Sequence, residues 1–152
     1  MNIKAIIFDW GRTLFDPEIK KELPESKEIL LYCKERGYKI CVASLVRTGT
    51  TLDERTNQIE SLPLKKYIDM FEVSEDKEKG EILDKLVKKL NLPKEEILLV
   101  DDRTVKSIKY GNRNGHPTVW LQNGKFANEL PNTDTGIPTY TIKSLLELKN
   151  II

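Results

Sequence analysis

Residues 97–102 read Ile97-Leu98-Leu99-Val100-Asp101-Asp102: four apolar side chains in a row, then two adjacent carboxylates. An apolar run that does not alternate with polar residues is a strand covered on both faces. Helices packed against parallel strands supply that cover. Two earlier runs have the same form: Ile3-Lys4-Ala5-Ile6-Ile7-Phe8 ends at Asp9, and Lys39-Ile40-Cys41-Val42-Ala43 ends at Ser44. Amphipathic stretches lie between them. One opens at Pro24, carries Ile29, Leu30 and Cys33 on a single face and meets Gly37 where a helix would end. A weaker one covers residues 52–62. The strongest runs from Lys79 to Leu90, with Ile82, Leu83, Leu86, Val87 and Leu90 as its core stripe.

Further strands are expected at Met70 to Val73, Thr118 to Leu121 and Thr139 to Ile142. A helix through Ile108 should end near Gly111 or Gly115, and a last helix should start at Ser144. Residues 122–138 hold two Gly, two Pro and several Asn and Thr, which predicts a long surface loop. This alternation predicts an α/β fold, a doubly wound, Rossmann-like parallel sheet flanked by helices. Residues 1–152 are expected to form one domain, without repeats or a linker.

Lys and Arg number 25 against 24 Asp and Glu, so no overall field draws the chain to nucleic acid or an anionic membrane, and neither is expected as a partner. Cys33 and Cys41 fall inside apolar patterns, at a spacing that matches no metal motif, and are expected in the core. The N-terminal apolar run is too short, and too soon broken by Asp9, for a signal peptide. No stretch is long enough to span a bilayer. The expected compartment is the cytoplasm.

In doubly wound sheets, ligands bind outside the carboxyl ends of the strands, where strand order reverses. Three strands end there in polar residues: Asp9, Ser44 and the Asp101-Asp102 pair. Clustered carboxylates repel and take up protons unless a positive charge sits among them. Mg2+, a hard cation that takes carboxylate, carbonyl, water and phosphate oxygens, suits such a cluster. Lys77 and Lys79 are both placed to add a second positive point. Each residue also has a plainer reading: Asp9 or Ser44 as a helix cap, the lysines as solvated surface. The acidic pair directly after four buried residues is the stronger signal, because burying a carboxylate without a partner is costly.

Phe8-Asp9-Trp10-Gly11-Arg12-Thr13-Leu14 resembles the first motif of the haloacid dehalogenase-like (HAD) superfamily, an apolar strand followed by Asp-x-Asp-Gly-Thr/Val. Ser44 after its strand resembles the second motif, Lys79-Gly80 the third, and Asp101-Asp102 the fourth. The segment from Tyr140 to Leu148 is similar to the usual tail of these proteins. The resemblance implies a Mg2+-dependent phosphatase in which Asp9 attacks a phosphoryl group to give an aspartyl-phosphate. It implies Asp9, the carbonyl of Gly11, and Asp101 or Asp102 as metal ligands. Ser44 and the backbone of Leu45 would hold phosphate oxygens, and Lys79 would stabilise charge.

The sequence departs from the family at Gly11, where most phosphatases of this superfamily carry the acid/base Asp, and at Arg12, where the family has glycine. Loss of an acid/base group costs about 10²–10⁴-fold in rate and bears least on leaving groups of low pKa. Asp16 is either a substitute or a turn residue before Pro17. Arg12 either clamps a substrate anion or lies on the surface, and Trp10 either packs in the core or walls the site. The alternative reading is a non-catalytic or weakly active module that binds a phosphoryl ligand or a protein. A receiver-like domain fits poorly because its acidic pair follows the first strand. A dehalogenase needs no Mg2+.

Nine residues separate Leu14 from Pro24 and 34 separate Ser44 from Lys79, too few for a sizeable cap domain. An open site suits a phosphorylated small molecule or a phosphorylated macromolecule, or cover from another subunit in a homo-oligomer. The 122–138 loop is a candidate lid. His116, the only histidine, is expected to be structural.

Overall fold

The computed structural model describes residues 1–152. In chain order the elements are β1 (Ala5–Asp9), β2 (Phe15–Asp16), β3 (Lys21–Glu22), α1 (Ser26–Glu35), β4 (Lys39–Leu45) and α2 (Leu52–Ser61). Then come β5 (Met70–Ser74), α3 (Gly80–Leu90), β6 (Ile97–Asp101), α4 (Lys109–Asn114), β7 (Thr118–Leu121) and β8 (Tyr140–Ile142). Six strands form one parallel sheet in the order β5-β4-β1-β6-β7-β8. The chain winds outward from β1 through β4 to β5, then crosses back to β6 on the other side of β1. The strand order therefore reverses at β1, the predicted topology.

Successive side chains of a strand point to opposite faces. Ile6, Phe8, Ile40, Val42, Leu98 and Val100 join Ile29, Leu30 and Cys33 of α1 in one core. Their neighbours Ala5, Ile7, Cys41, Ala43, Ile97 and Leu99 join Ile82, Leu83 and Leu86 of α3 in the other. Each large apolar side chain buried in this way contributes about 1.5–3 kcal/mol, so the unbroken apolar runs follow directly from the two-sided cover. Both cysteines are free and buried in these cores.

The helix expected from Lys79 begins one residue later, with Lys79 at its N-cap. Asn91 ends it in the left-handed region at φ +51°, its N–H donating to the Val87 carbonyl. The continuous helix expected through Ile108 is instead a kinked π-type segment, Thr104–Ile108, followed by α4. The cause lies in Asp101, whose carboxylate takes the N–H groups of Arg103 and Ser107, at 3.0 Å each, away from helical pairing. Gly115, at φ +85°, closes α4. The terminal helix is a 3-10 turn, Leu145–Asn150, opened by a Ser144–Glu147 capping box.

No sizeable cap is present in these 152 residues. The segment after Leu14 forms only the β2–β3 hairpin. The 122–138 segment is pinned rather than loose: Glu129 pairs with Arg103 at 2.9 Å, its carbonyl accepts from Thr104, and Asn112 donates to the Thr135 carbonyl. No helix is long and apolar enough to cross a membrane.

Candidate active site

Parallel pairing sets Asp9 beside Ala43 of β4, and Phe8 beside Val100 of β6, so Asp9 and Asp101 end adjacent strands at one level. Carboxylate oxygens of Asp9, Asp101 and Asp102 lie within 4.8 Å of one another. The Lys79 ammonium is 2.5 Å from Asp9 Oδ1 and 2.9 Å from Asp101 Oδ2. Thr13 donates to Asp9 Oδ2 at 3.1 Å. Lys79 is only 3% exposed, an N-cap residue whose side chain turns inward. Lys77 is exposed and offers only its carbonyl, to Lys106.

The three carboxylates are not equivalent. Burial raises Asp101, but Lys79, Ser107 and Arg103 outweigh it and hold its pKa below the usual range. Burial and the negative charge of Asp101 push Asp9 up despite Lys79. Burial, then Asp9 and Asp101, push Asp102 up to about 9. Lys79 is itself raised: burial disfavours its charge, and the facing carboxylates more than compensate. One ammonium cannot neutralise three buried carboxylates. Asp102 Oδ2 is buried and has no hydrogen-bond partner, an uncommon state for such an atom. The donor set fits a hard divalent cation: oxygen ligands only, excess negative charge and one unsatisfied carboxylate oxygen.

An open cleft of about 440 Å³ lies over this cluster. Gly11, Arg12 and Leu45 line it beside the carboxylates, with Arg55, Arg47 and Arg103 on further elements. Ser44 lies at the tip of β4 but does not line the cleft; its hydroxyl accepts from Arg55 Nη1 at 2.6 Å. Arg55 also donates to the Leu45 carbonyl at 3.3 Å. Arg55 has no signal in the amino-acid pattern, because α2 is polar on nearly every face and buries only Ile59.

Trp10 is fully buried, stacked on Phe15 at 5.4 Å and bonded to Gln58, so it belongs to the core and not to the site wall. Asp16 accepts from the Glu18 N–H at 2.9 Å and lies outside the Asp9 cleft, as a turn residue does. His116 packs at the end of α4 against Tyr110, its Nδ1 3.1 Å from the Lys94 carbonyl. Arg12 adopts φ +65°, where a side chain costs on the order of 1–3 kcal/mol.

A carboxylate at the tip of the central strand, faced by a buried lysine and an acidic pair from the neighbouring strand, marks a doubly wound α/β protein with its site at the switch point. The chain belongs to the haloacid dehalogenase-like hydrolase family, which it matches over residues 1–121. It is 26% identical over 136 residues to the glyceraldehyde 3-phosphate phosphatase of Methanopyrus kandleri, covering 87% of this chain and 57% of that protein. The corresponding phosphatase of Pyrococcus furiosus is 28% identical over 137 residues, with 87% and 55% covered. The chain thus spans little more than half the length of these curated relatives. A magnesium-bound HAD-hydrolase, YfnB from Bacillus subtilis, shares the fold with a TM-score of 0.82 at 13% identity, covering 99% of each chain.

Proposed function

We propose that this protein is a Mg2+-dependent phosphatase that forms an aspartyl-phosphate on Asp9. The observation that carries this reading is the buried Asp9–Lys79–Asp101–Asp102 cluster with its unpartnered Asp102 Oδ2. The names of the two relatives support the same reaction class. Asp9, Asp102 and the Gly11 carbonyl would hold the ion. Asp101, already saturated by Lys79, Ser107 and Arg103, serves better to position the lysine. When bound, Mg2+ neutralises the carboxylates and the charge spread over the transferring phosphoryl group.

The chain's own groups divide the work. Thr13 holds one oxygen of Asp9 and Lys79 faces the other, so the carboxylate is fixed before it attacks phosphorus. Arg55, with the Leu45 backbone, binds non-bridging oxygens of the transferring group, and Ser44 sets the angle of Arg55. Water then hydrolyses the acyl phosphate and frees Asp9. The substrate would be a phosphorylated small molecule or macromolecule. The two free, buried thiols suit a reducing cytoplasm.

A phosphate-ester panel with and without Mg2+, with Asp9→Asn as the control, tests the proposal. Turnover that needs both Mg2+ and Asp9 is expected. Hydrolysis that persists in the variant ends this reading. A second reading follows from Gly11: without an acid/base group, the site would bind phosphoryl ligands in Mg2+ and not turn them over. Robust turnover of any phosphate ester removes that alternative.

A further inference from the structure

We propose that the site cleaves an organic phosphoanhydride, with the inner phosphate of the substrate held by Arg12 and Lys125. The inference rests on the phosphatase reading and names its substrate class. The Asp9 cleft does not end at Arg12. A second cleft of about 480 Å³ adjoins it, and Arg12, Pro17 and Lys125 line both. A substrate whose terminal phosphoryl group reaches Asp9 therefore passes these two cations before entering the second space. That space has Leu23, Leu121 and Leu145 in its wall, which suits an organic group more than a bare anion.

Two further observations point the same way. A Cβ built on Gly11 meets no atom within 4 Å, so no side chain fills the space where a proton donor would stand. Asp16, the next acidic residue along the chain after Gly11, lines only the second cleft. An alkoxide leaving group needs a proton at the moment of departure, whereas a phosphate leaves as a stable anion. What the cleft offers in place of an acid is positive charge. Arg47, Lys106 and Lys125 line it with no carboxylate in ion-pair distance, and Arg12 has only the exposed Glu18, at 3.3 Å. Arg12 also holds its left-handed backbone at φ +65°, where glycine would be free of strain, so this chain carries the arginine side chain at a local cost.

The step balances without a cofactor redox change or a proton donor. A carboxylate oxygen of Asp9 bonds to the terminal phosphorus as the bond to the bridging oxygen breaks. The electron pair stays on that oxygen, and the inner phosphate departs as an anion between Arg12 and Lys125. Water then cleaves the aspartyl-phosphate, returning the carboxylate and releasing inorganic phosphate and one proton to solvent.

The test compares kcat/KM for ADP, AMP, inorganic pyrophosphate and p-nitrophenyl phosphate in Mg2+. ADP is expected to exceed AMP at least about 100-fold, as the cost of a missing acid predicts, and to exceed pyrophosphate. In Arg12→Gly, which relieves the backbone strain, and separately in Lys125→Ala, the ADP to p-nitrophenyl phosphate ratio should fall about tenfold or more. Calorimetric binding of α,β-methylene-ADP to Asp9→Asn should weaken in parallel when either cation is removed. AMP turned over as fast as ADP, or a ratio unmoved in both variants, overturns the proposal while leaving the phosphatase reading intact. Pyrophosphate preferred over ADP overturns the organic occupant of the second cleft. No Mg2+-dependent turnover of any substrate removes the phosphatase reading itself.

Discussion

Lys79 Nζ lies 2.5 Å from Asp9 Oδ1 and 2.9 Å from Asp101 Oδ2, so one buried ammonium ties the central strand to its neighbour. Removing a partner from a buried ion pair leaves charges that neither water nor protein satisfies, at a cost of about 3–5 kcal/mol. Lys79→Met is therefore expected to lower unfolding stability by about that amount in urea titrations, and to abolish turnover. Lys77→Met, at an exposed position, should change stability by less than about 0.5 kcal/mol. Equal effects of the two changes would show that Lys79 carries no special load.

Gly11 has room for a side chain, and its φ is not in the left-handed region. Gly11→Asp places a carboxyl where most phosphatases of the family carry their acid/base. Hydrolysis of alkyl phosphates should rise by about 10²-fold, the lower end of what such a group supplies. Aryl phosphates, whose leaving groups need little protonation, should gain much less. A variant that folds, as judged by its melting curve, and shows no selective gain for alkyl esters would refute the assignment of Gly11 as the missing acid/base position.

The strands and the motif positions at strand tips are legible because the physical constraint on each is local. Continuous apolar runs declare two-sided burial, and a polar residue at the end of such a run declares the sheet tip. Asp9, Asp101 and Asp102 are legible in that way, and the structure brings their carboxylates within 4.8 Å of one another. The choice between Lys77 and Lys79 was not legible, since both lie in a run of charges and only the helix start determines which side chain turns inward. Arg55 was hidden for a related reason: its helix has almost no apolar stripe to orient it. The kink at residues 104–108 depends on a carboxylate capturing two backbone N–H groups, a tertiary event that periodicity cannot register.

Asp102 has its pKa pushed up to about 9 by burial and by Asp9 and Asp101, and Asp9 is raised as well. The folded chain then holds protons that the unfolded chain releases above about pH 4. Stability from these groups is fully present below the unfolded value and is lost as pH rises toward 9, by at most about 1.4 kcal/mol per pH unit per group. Thermal melts in EDTA should fall from pH 5 to pH 9. Mg2+ should remove most of that fall, and calorimetry in buffers of different ionisation enthalpy should show protons released on binding. Melting temperatures that stay flat in EDTA over this range would contradict the raised carboxylates.

Arg55 reaches the site from α2, and its guanidinium is fixed by the Ser44 hydroxyl at 2.6 Å and the Leu45 carbonyl at 3.3 Å. If Ser44 acts by aiming Arg55 at the phosphoryl oxygens, the two residues form one unit and their deletions cannot add. Arg55→Ala is expected to reduce kcat/KM by about 10²-fold, in the range for losing a donor to transition-state charge. Ser44→Ala should cost about tenfold, a hydrogen bond to a charged group being worth about 1.5–3 kcal/mol. In the double variant the loss should be close to that of Arg55→Ala alone, giving a coupling of about 1 kcal/mol or more. Fully additive losses would mean that Ser44 contacts the substrate independently, and the Arg55–Ser44 bond would then be a packing detail with no part in binding.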